Sequence, residues 1–496
     1  MRSFNRFVNG LVLFAASGIA AQAQTAPASQ SEVDELRQTV RELALRVSVL
    51  EADARQRRAA GSTVAVAYAA PAPEMPSVSA RRLNEEVTTM PVAAAPVVST
   101  QTVTATPTQA PKPESSPFPA ELPGGATLNY SFDGYYGYDF NHPIGRVQYL
   151  RAYDVLSNAF SINQTGIVLD MLPDVAAGRR YGVRLDLQFG QATETLQGNA
   201  ANEPRPEIYR NIFQAYGTYV VPLGSGLTVD FGKWASSLGI ESNYTKDQMN
   251  YSRSYWFAYL PFYHAGVRTN YKFNDKIAVN YWIVNGTQQS EPTNSYKDEL
   301  FGLALQPTKN ISWIVNYFVG QDHPDSVKGT DCGPTPVQPG LCLDPIKPAP
   351  NGKQHIFDSY VTWNATPKLT FALEGDYVIG REWANAAPGE SSAPSHVDGG
   401  AAYARYQWTK HVALATRGEY LSDRGGLFSG STQALKEVTG TYEYKFGEGF
   451  LSRIEYRRDW SNIPLFLTNK QGVLAKNQDT LTLGLVWWYG GKKGPW

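Results

Sequence analysis

The chain has 496 residues, 18% of them charged, and a formal net charge of −1. That balance excludes a partner held by phosphate neutralisation, so no nucleic acid is expected, because such partners call for strongly basic surfaces. The 29 Tyr, 21 Phe and 11 Trp suit a chain of many strands with aromatic-rich ends.

In chain order, Arg2 and Arg6 precede an apolar run from Leu11 to Ala20, followed by Ala21, Gln22 and Ala23. A charged start, a short apolar middle and a small-residue exit predict a secretory signal over residues 1–23. A membrane anchor is the other reading, but the run falls short of the roughly 20 apolar residues a bilayer span needs. Val33, Leu36, Val40, Leu43, Val47, Leu50 and Ala54 then keep one seam along a helix. A seam this short needs a partner, so residues 31–58 predict a short periplasmic coiled coil, or a lone amphipathic helix lying on another surface. Residues 59–123 are dominated by Ala, Pro, Thr, Val and Ser and predict a disordered, semi-extended linker.

From Thr127 onward, alternating segments of about ten residues are separated by turn chemistry, and the expected fold is an all-β antiparallel transmembrane barrel over residues 124–496. Val183, Leu185, Leu187 and Phe189 alternate with Arg184, Asp186 and Gln188, and strand geometry sends the two sets to opposite faces. Ile311, Trp313, Val315, Tyr317 and Val319 divide in the same way, as do Leu481, Leu483, Leu485 and Trp487. About sixteen such segments are expected, an even number as in bacterial barrels. They begin near Thr127, Ser157, Tyr181, Ile208, Leu227, Phe262, Ile277, Glu299, Ile311, His355, Leu369, His396, Val412, Ala434, Phe450 and Asp479. Short turns, such as residues 274–276 and 409–411, alternate with long loops, such as residues 235–261 and 322–354. Cys332 and Cys342 lie in the latter loop. In an exported chain they predict a disulfide pinning that loop, because a metal would need more ligands than His323 offers. A soluble sandwich also alternates, but export, alternating loop lengths and aromatics at segment ends favour the barrel.

Residues from about 122 to 496 resemble the β-barrel porin-2 (OmpL-like) family of Gram-negative outer-membrane proteins. The resemblance is carried by the segment Tyr130-Ser131-Phe132-Asp133-Gly134-Tyr135-Tyr136, by Asn250-Tyr251-Ser252-Arg253-Ser254, and by Gly484-Leu485-Val486-Trp487-Trp488-Tyr489. It implies a diffusion channel in the outer membrane. One departure is that Gly490 to Pro495 intervene between the last strand and the final aromatic, Trp496.

On the face opposite each apolar stripe lie Arg184, Asp186, Arg268, Glu374, Asp376, Arg405, Arg417, Glu419, Glu443, Lys445, Arg453, Glu455 and Arg457. In a barrel of this width these residues line water, and Arg405, Arg417, Arg453 and Arg457 are expected to form a basic stripe. The third outer loop, residues 235–261, carries Glu241, Asn243, Tyr244, Lys246, Asp247, Tyr251, Arg253, Tyr255 and Trp256. By analogy with general porins it is expected to fold inward as a constriction, with Glu241 and Asp247 facing the arginines. Its aromatics also offer stacking surfaces for sugar rings.

An outer-membrane hydrolase is the enzyme alternative. Neither Gly-x-Ser-x-Gly nor His-Glu-x-x-His occurs, and neither a catalytic residue, a metal nor a cofactor is expected. His264, beside an apolar stripe, reads as a packed lumen residue. The structural alternative is an anchor or adhesin that reaches the cell wall through the linker and coiled coil. The expected partners are outer-membrane lipid, small hydrophilic solutes and further copies of the chain.

Overall fold

The computed structural model describes residues 121–196, 203, 205–322, 326–328, 346–348, 352–381, 394–492 and 495–496. The signal and coiled-coil readings, the linker reading up to residue 120, and the Cys332–Cys342 disulfide lie outside the described residues; Glu121–Leu122, at the linker's expected end, is a short strand paired with Ala126 and Thr127. Sixteen strands form the wall. They are β1 (Ala126–Asp139), β2 (Ala159–Met171), β3 (Tyr181–Phe189), β4 (Ile212–Val221), β5 (Leu227–Ala235), β6 (Tyr263–Asn274), β7 (Ile277–Val284) and β8 (Asp298–Thr308). The second half comprises β9 (Ile311–Gly320), β10 (Gln354–Thr366), β11 (Leu369–Arg381), β12 (Pro394–Gln407), β13 (Val412–Asp423), β14 (Gln433–Gly447), β15 (Phe450–Ser461) and β16 (Asn477–Gly490).

Each strand pairs antiparallel with its neighbours in sequence, and β16 pairs with β1 from Asn129↔Gly490 to Asp139↔Thr480. Closure satisfies the backbone of every wall strand from within the sheet, which is what a strand in lipid requires. Among the described residues no helix is long and apolar enough to cross a membrane.

Burial runs opposite to that of a water-soluble sheet. On β15, Arg453, Glu455, Arg457 and Asp459 are buried while Ile454 and Tyr456 stand about half exposed. The apolar set therefore faces outward, where lipid makes exposure favourable. Near the short-turn end, Phe446 stacks on Phe450 at 4.6 Å and Phe450 on Trp487 at 4.5 Å, forming part of an aromatic girdle.

Most strand starts fall within two residues of the expected ones. β4 is later, at Ile212 instead of Ile208, because Pro206–Tyr209 forms a helical turn with proline in its first turn, where its missing N–H costs nothing. The long turn between β2 and β3 contains a bridge between Asp174 and Arg179. Lys445 does not point down the lumen; it pairs with Glu448 at the adjacent turn, 2.9 Å away.

Candidate functional site

The loop between β5 and β6, residues 236–262, lies inside the barrel. Its backbone has left the sheet, so its N–H and C=O groups need other partners, and the charged wall supplies them. Gly239 N donates to Asp358 Oδ1 at 3.1 Å and Ile240 N to Glu374 Oε1 at 3.0 Å. Gly239 itself sits at φ +82°, a turn conformation that favours glycine. Further along, Tyr251 N and Ser252 N donate to the two oxygens of Glu455. Tyr255 N and Trp256 N donate to those of Glu419, each at 2.9 Å. The short helix Tyr255–Tyr259 begins there, capped by Ser254, whose Oγ accepts from Phe257 N.

Carbonyls find the arginines. Arg453 donates to Thr245 O at 2.7 Å and Asn250 O at 3.1 Å, Arg457 to Arg253 O, and Arg417 to Ser252 O at 2.9 Å. Carboxylates therefore take the loop's N–H groups while guanidinium groups take its C=O groups. Bonds to ionised partners are worth about 1.5–3 kcal/mol each, more than neutral ones, so the loop is clamped.

Of the sequence-predicted loop residues, Glu241 pairs with Arg417 at 2.8 Å. Asn243 bonds Gln188 at 2.6 Å, and Tyr244 donates to Asp186. Tyr251 donates to Asp133 at 2.8 Å, and Tyr255 to Asp459 at 2.6 Å. Arg253 folds onto its own loop, donating to Tyr251 O and Asn243 O. Asp247 does not face the arginine stripe: it pairs with Lys246 at 2.7 Å and accepts from Trp496 N at 3.1 Å. Burial holds the Lys246 ammonium below its ordinary value, with Asp247 opposing that shift.

The wall arginines do not form a free basic stripe. Arg405 and Arg453 share Glu443, Arg417 pairs with Glu437 at 2.6 Å, and Arg457 with Asp459 at 2.8 Å. Arg184 turns to Asp186 two residues away, and Arg268 crosses to Asp230 at 2.6 Å. Glu374 and Asp376 line the lumen without a basic partner among the described residues.

Sugar stacking on the loop's aromatics is corrected by their burial: Tyr251, Tyr255 and Trp256 are at most 1% exposed. Trp256, Leu238 and Leu260 instead pack on inward apolar residues of the wall, including Trp282, Leu300 and Phe318. That patch would be unfavourable in a wet lumen, and the loop covers it. His264 is fully buried, with Ser236 Oγ 3.1 Å from Nε2 and Gly286 O 3.2 Å from Nδ1.

Two participants escaped the sequence reading. The first outer loop, residues 140–158, also enters the lumen: Arg151 pairs with Asp459 at 2.7 Å, and Tyr153 donates to Asn243 at 2.7 Å. Arg151 among ordinary turn residues gave no signal. Beyond β16, Trp496 packs edge-on against Tyr244 at 5.8 Å and under Lys246, so this aromatic lies inside and not on the lipid face.

Residues 126–487 match the family described as Putative beta-barrel porin-2, OmpL-like. No curated protein matches the chain. Among solved structures, the outer-membrane channel DcaP of Acinetobacter baumannii is 12% identical, with 75% of this chain and 99% of that one covered at a TM-score of 0.48. The anion-selective porin of Comamonas acidovorans is 8% identical over 73% and 99% (TM-score 0.46). OmpT of Vibrio cholerae is 11% identical over 73% and 98% (TM-score 0.43).

Proposed function

This chain belongs to the Putative beta-barrel porin-2, OmpL-like family and is an outer-membrane channel, and we propose that small hydrophilic solutes and ions cross it by passive diffusion past a constriction made by residues 236–262. The observation that carries this reading is the clamping of that loop across the lumen to β10 and β11 on one side and β13 and β15 on another. Opposed charges at a narrowing order water and rank solutes by charge and size. Deletion of residues 244–251 is expected to raise single-channel conductance in planar bilayers, and an unchanged conductance retires the constriction.

A second reading, an envelope anchor of low conductance, draws support from the entry of two loops into one lumen. Planar bilayers separate the two, since a porin gives discrete current steps and a plugged anchor passes almost none. The heptad segment, residues 31–58, would lie in the periplasm under either reading, pairing copies of the chain or touching the cell wall.

A further inference from the structure

The wall carries a group of three carboxylates that the ion-pair scheme does not absorb. Asp358 on β10 stands opposite Asp376 on β11, and Glu374 lies two residues before Asp376 on the same inward face. One oxygen from each lies within 4.8 Å of the other two, and the three residues are 1%, 5% and 7% exposed for Asp358, Asp376 and Glu374. Their donors are neutral. Asp358 accepts from Asn316 Nδ2 at 2.7 Å and Gly239 N; Glu374 accepts from Ile240 N and from Tyr403 OH at 3.2 Å. Asp376 receives no N–H or hydroxyl donor on either oxygen; the one side-chain group it meets is the Asp358 carboxyl itself, although the residue is buried. The further charges acting on Glu374 after Asp358 are Glu241 and Glu419, both acidic.

Other buried wall carboxylates are answered by a cation, as Asp230 is by Arg268, Glu437 by Arg417 and Asp459 by Arg151, or by several neutral donors, as Glu455 is by Tyr251 N, Ser252 N and Thr441 Oγ1. Here positive charge is missing, and the orphaned Asp376 oxygens mark where it belongs. The donor set is oxygen alone, which suits a hard cation and not zinc. A second orphan, Asn316 Oδ1, belongs to a residue in register beside Asp358 and 2% exposed.

We propose that Asp358, Glu374 and Asp376 bind a divalent alkaline-earth cation, Ca2+ in preference to Mg2+, at the root of the inward loop. Flexible carboxylate sets of this kind accommodate the larger ion, whereas Mg2+ demands a stricter octahedron and keeps its water. Because Asp358 and Glu374 also hold Gly239 and Ile240, the ion would fix the loop's entry into the lumen. The inference rests on the site alone and stands or falls separately from conduction.

The test uses the full chain folded in detergent micelles at neutral pH and stripped with chelator. Tb3+ is titrated in while its luminescence is excited through tyrosine, since Tyr403 bonds Glu374 and Tyr360 stands opposite it. A saturable signal is expected, displaced by Ca2+ at lower concentration than by Mg2+. Asp376→Asn should weaken it by about tenfold or more, since affinity at such sites follows ligand charge. Asp230→Asn, which removes a carboxylate already answered by Arg268, should leave it unchanged. Absence of saturable binding in the unaltered chain, checked by calorimetric Ca2+ titration, overturns the proposal in favour of carboxyls sharing protons. An equal loss in both variants overturns it too. Should Asp376→Asn not fold, Glu374→Gln and the calorimetry on the unaltered chain still decide.

Discussion

Arg417 shows what a single lumen residue does here. Its guanidinium joins Glu437 on the neighbouring strand, Glu241 on the inward loop and the carbonyl of Ser252, and it is fully buried. Replacing it with alanine removes the cation of Glu241 and leaves Glu437 only its longer, 3.5 Å contact with Arg457. Breaking a buried pair from one side costs about 3–5 kcal/mol, so Arg417→Ala is expected to lower the urea unfolding midpoint strongly; an unchanged midpoint would show the pair to be solvated. That Arg417 points inward was legible, because Leu414 and Tyr420 on the other face of β13 are apolar and exposed. Its link to Glu241 was not, since the two are 176 positions apart and no local spacing encodes the meeting.

At the scale of elements, the inward loop behaves as a second layer of structure built on charged side chains. Its length, polarity and aromatics announced that it was unusual, while its route across the lumen had to be read from its partners. Asp247 was expected to face arginines and instead meets Lys246 and Trp496, because the chain beyond β16 folds back and occupies that side. Trp496 accordingly braces the tip of the loop through Tyr244 and Lys246. Trp496→Ala is expected to increase open-channel current fluctuations, with a smaller gain in mean conductance than deletion of residues 244–251. Recordings as quiet as those of the unaltered protein would assign the tryptophan to packing alone. Strand four illustrates the converse limit: alternation located the strand, but the proline-led turn before it moved its start by four positions, a distinction that periodicity does not resolve.

At the largest scale, the described barrel is organised by one inversion, apolar side chains outward and ionisable ones inward, closed on itself by β1 and β16. Leu483, near the middle of β16, is 43% exposed, whereas its neighbour Thr482 is buried on the lumen side. Arginine at Leu483 should cost about 2–4 kcal/mol if that face meets the bilayer midplane, read as a loss of folded barrel in lipid vesicles. No loss would mean that Leu483 does not face lipid.

The sequence by itself determined the strand count, the two faces of each strand and the loop that departs from the rule, because a period of two is a local property that any ten residues display. Only the tertiary structure decided which charges are paired, that residues 140–158 and Trp496 also occupy the lumen, and that Asp358 meets Glu374 and Asp376. Those are contacts between strands or loops whose separation along the chain is set by turn lengths and barrel closure, and neither carries a pattern in the residues that eventually touch.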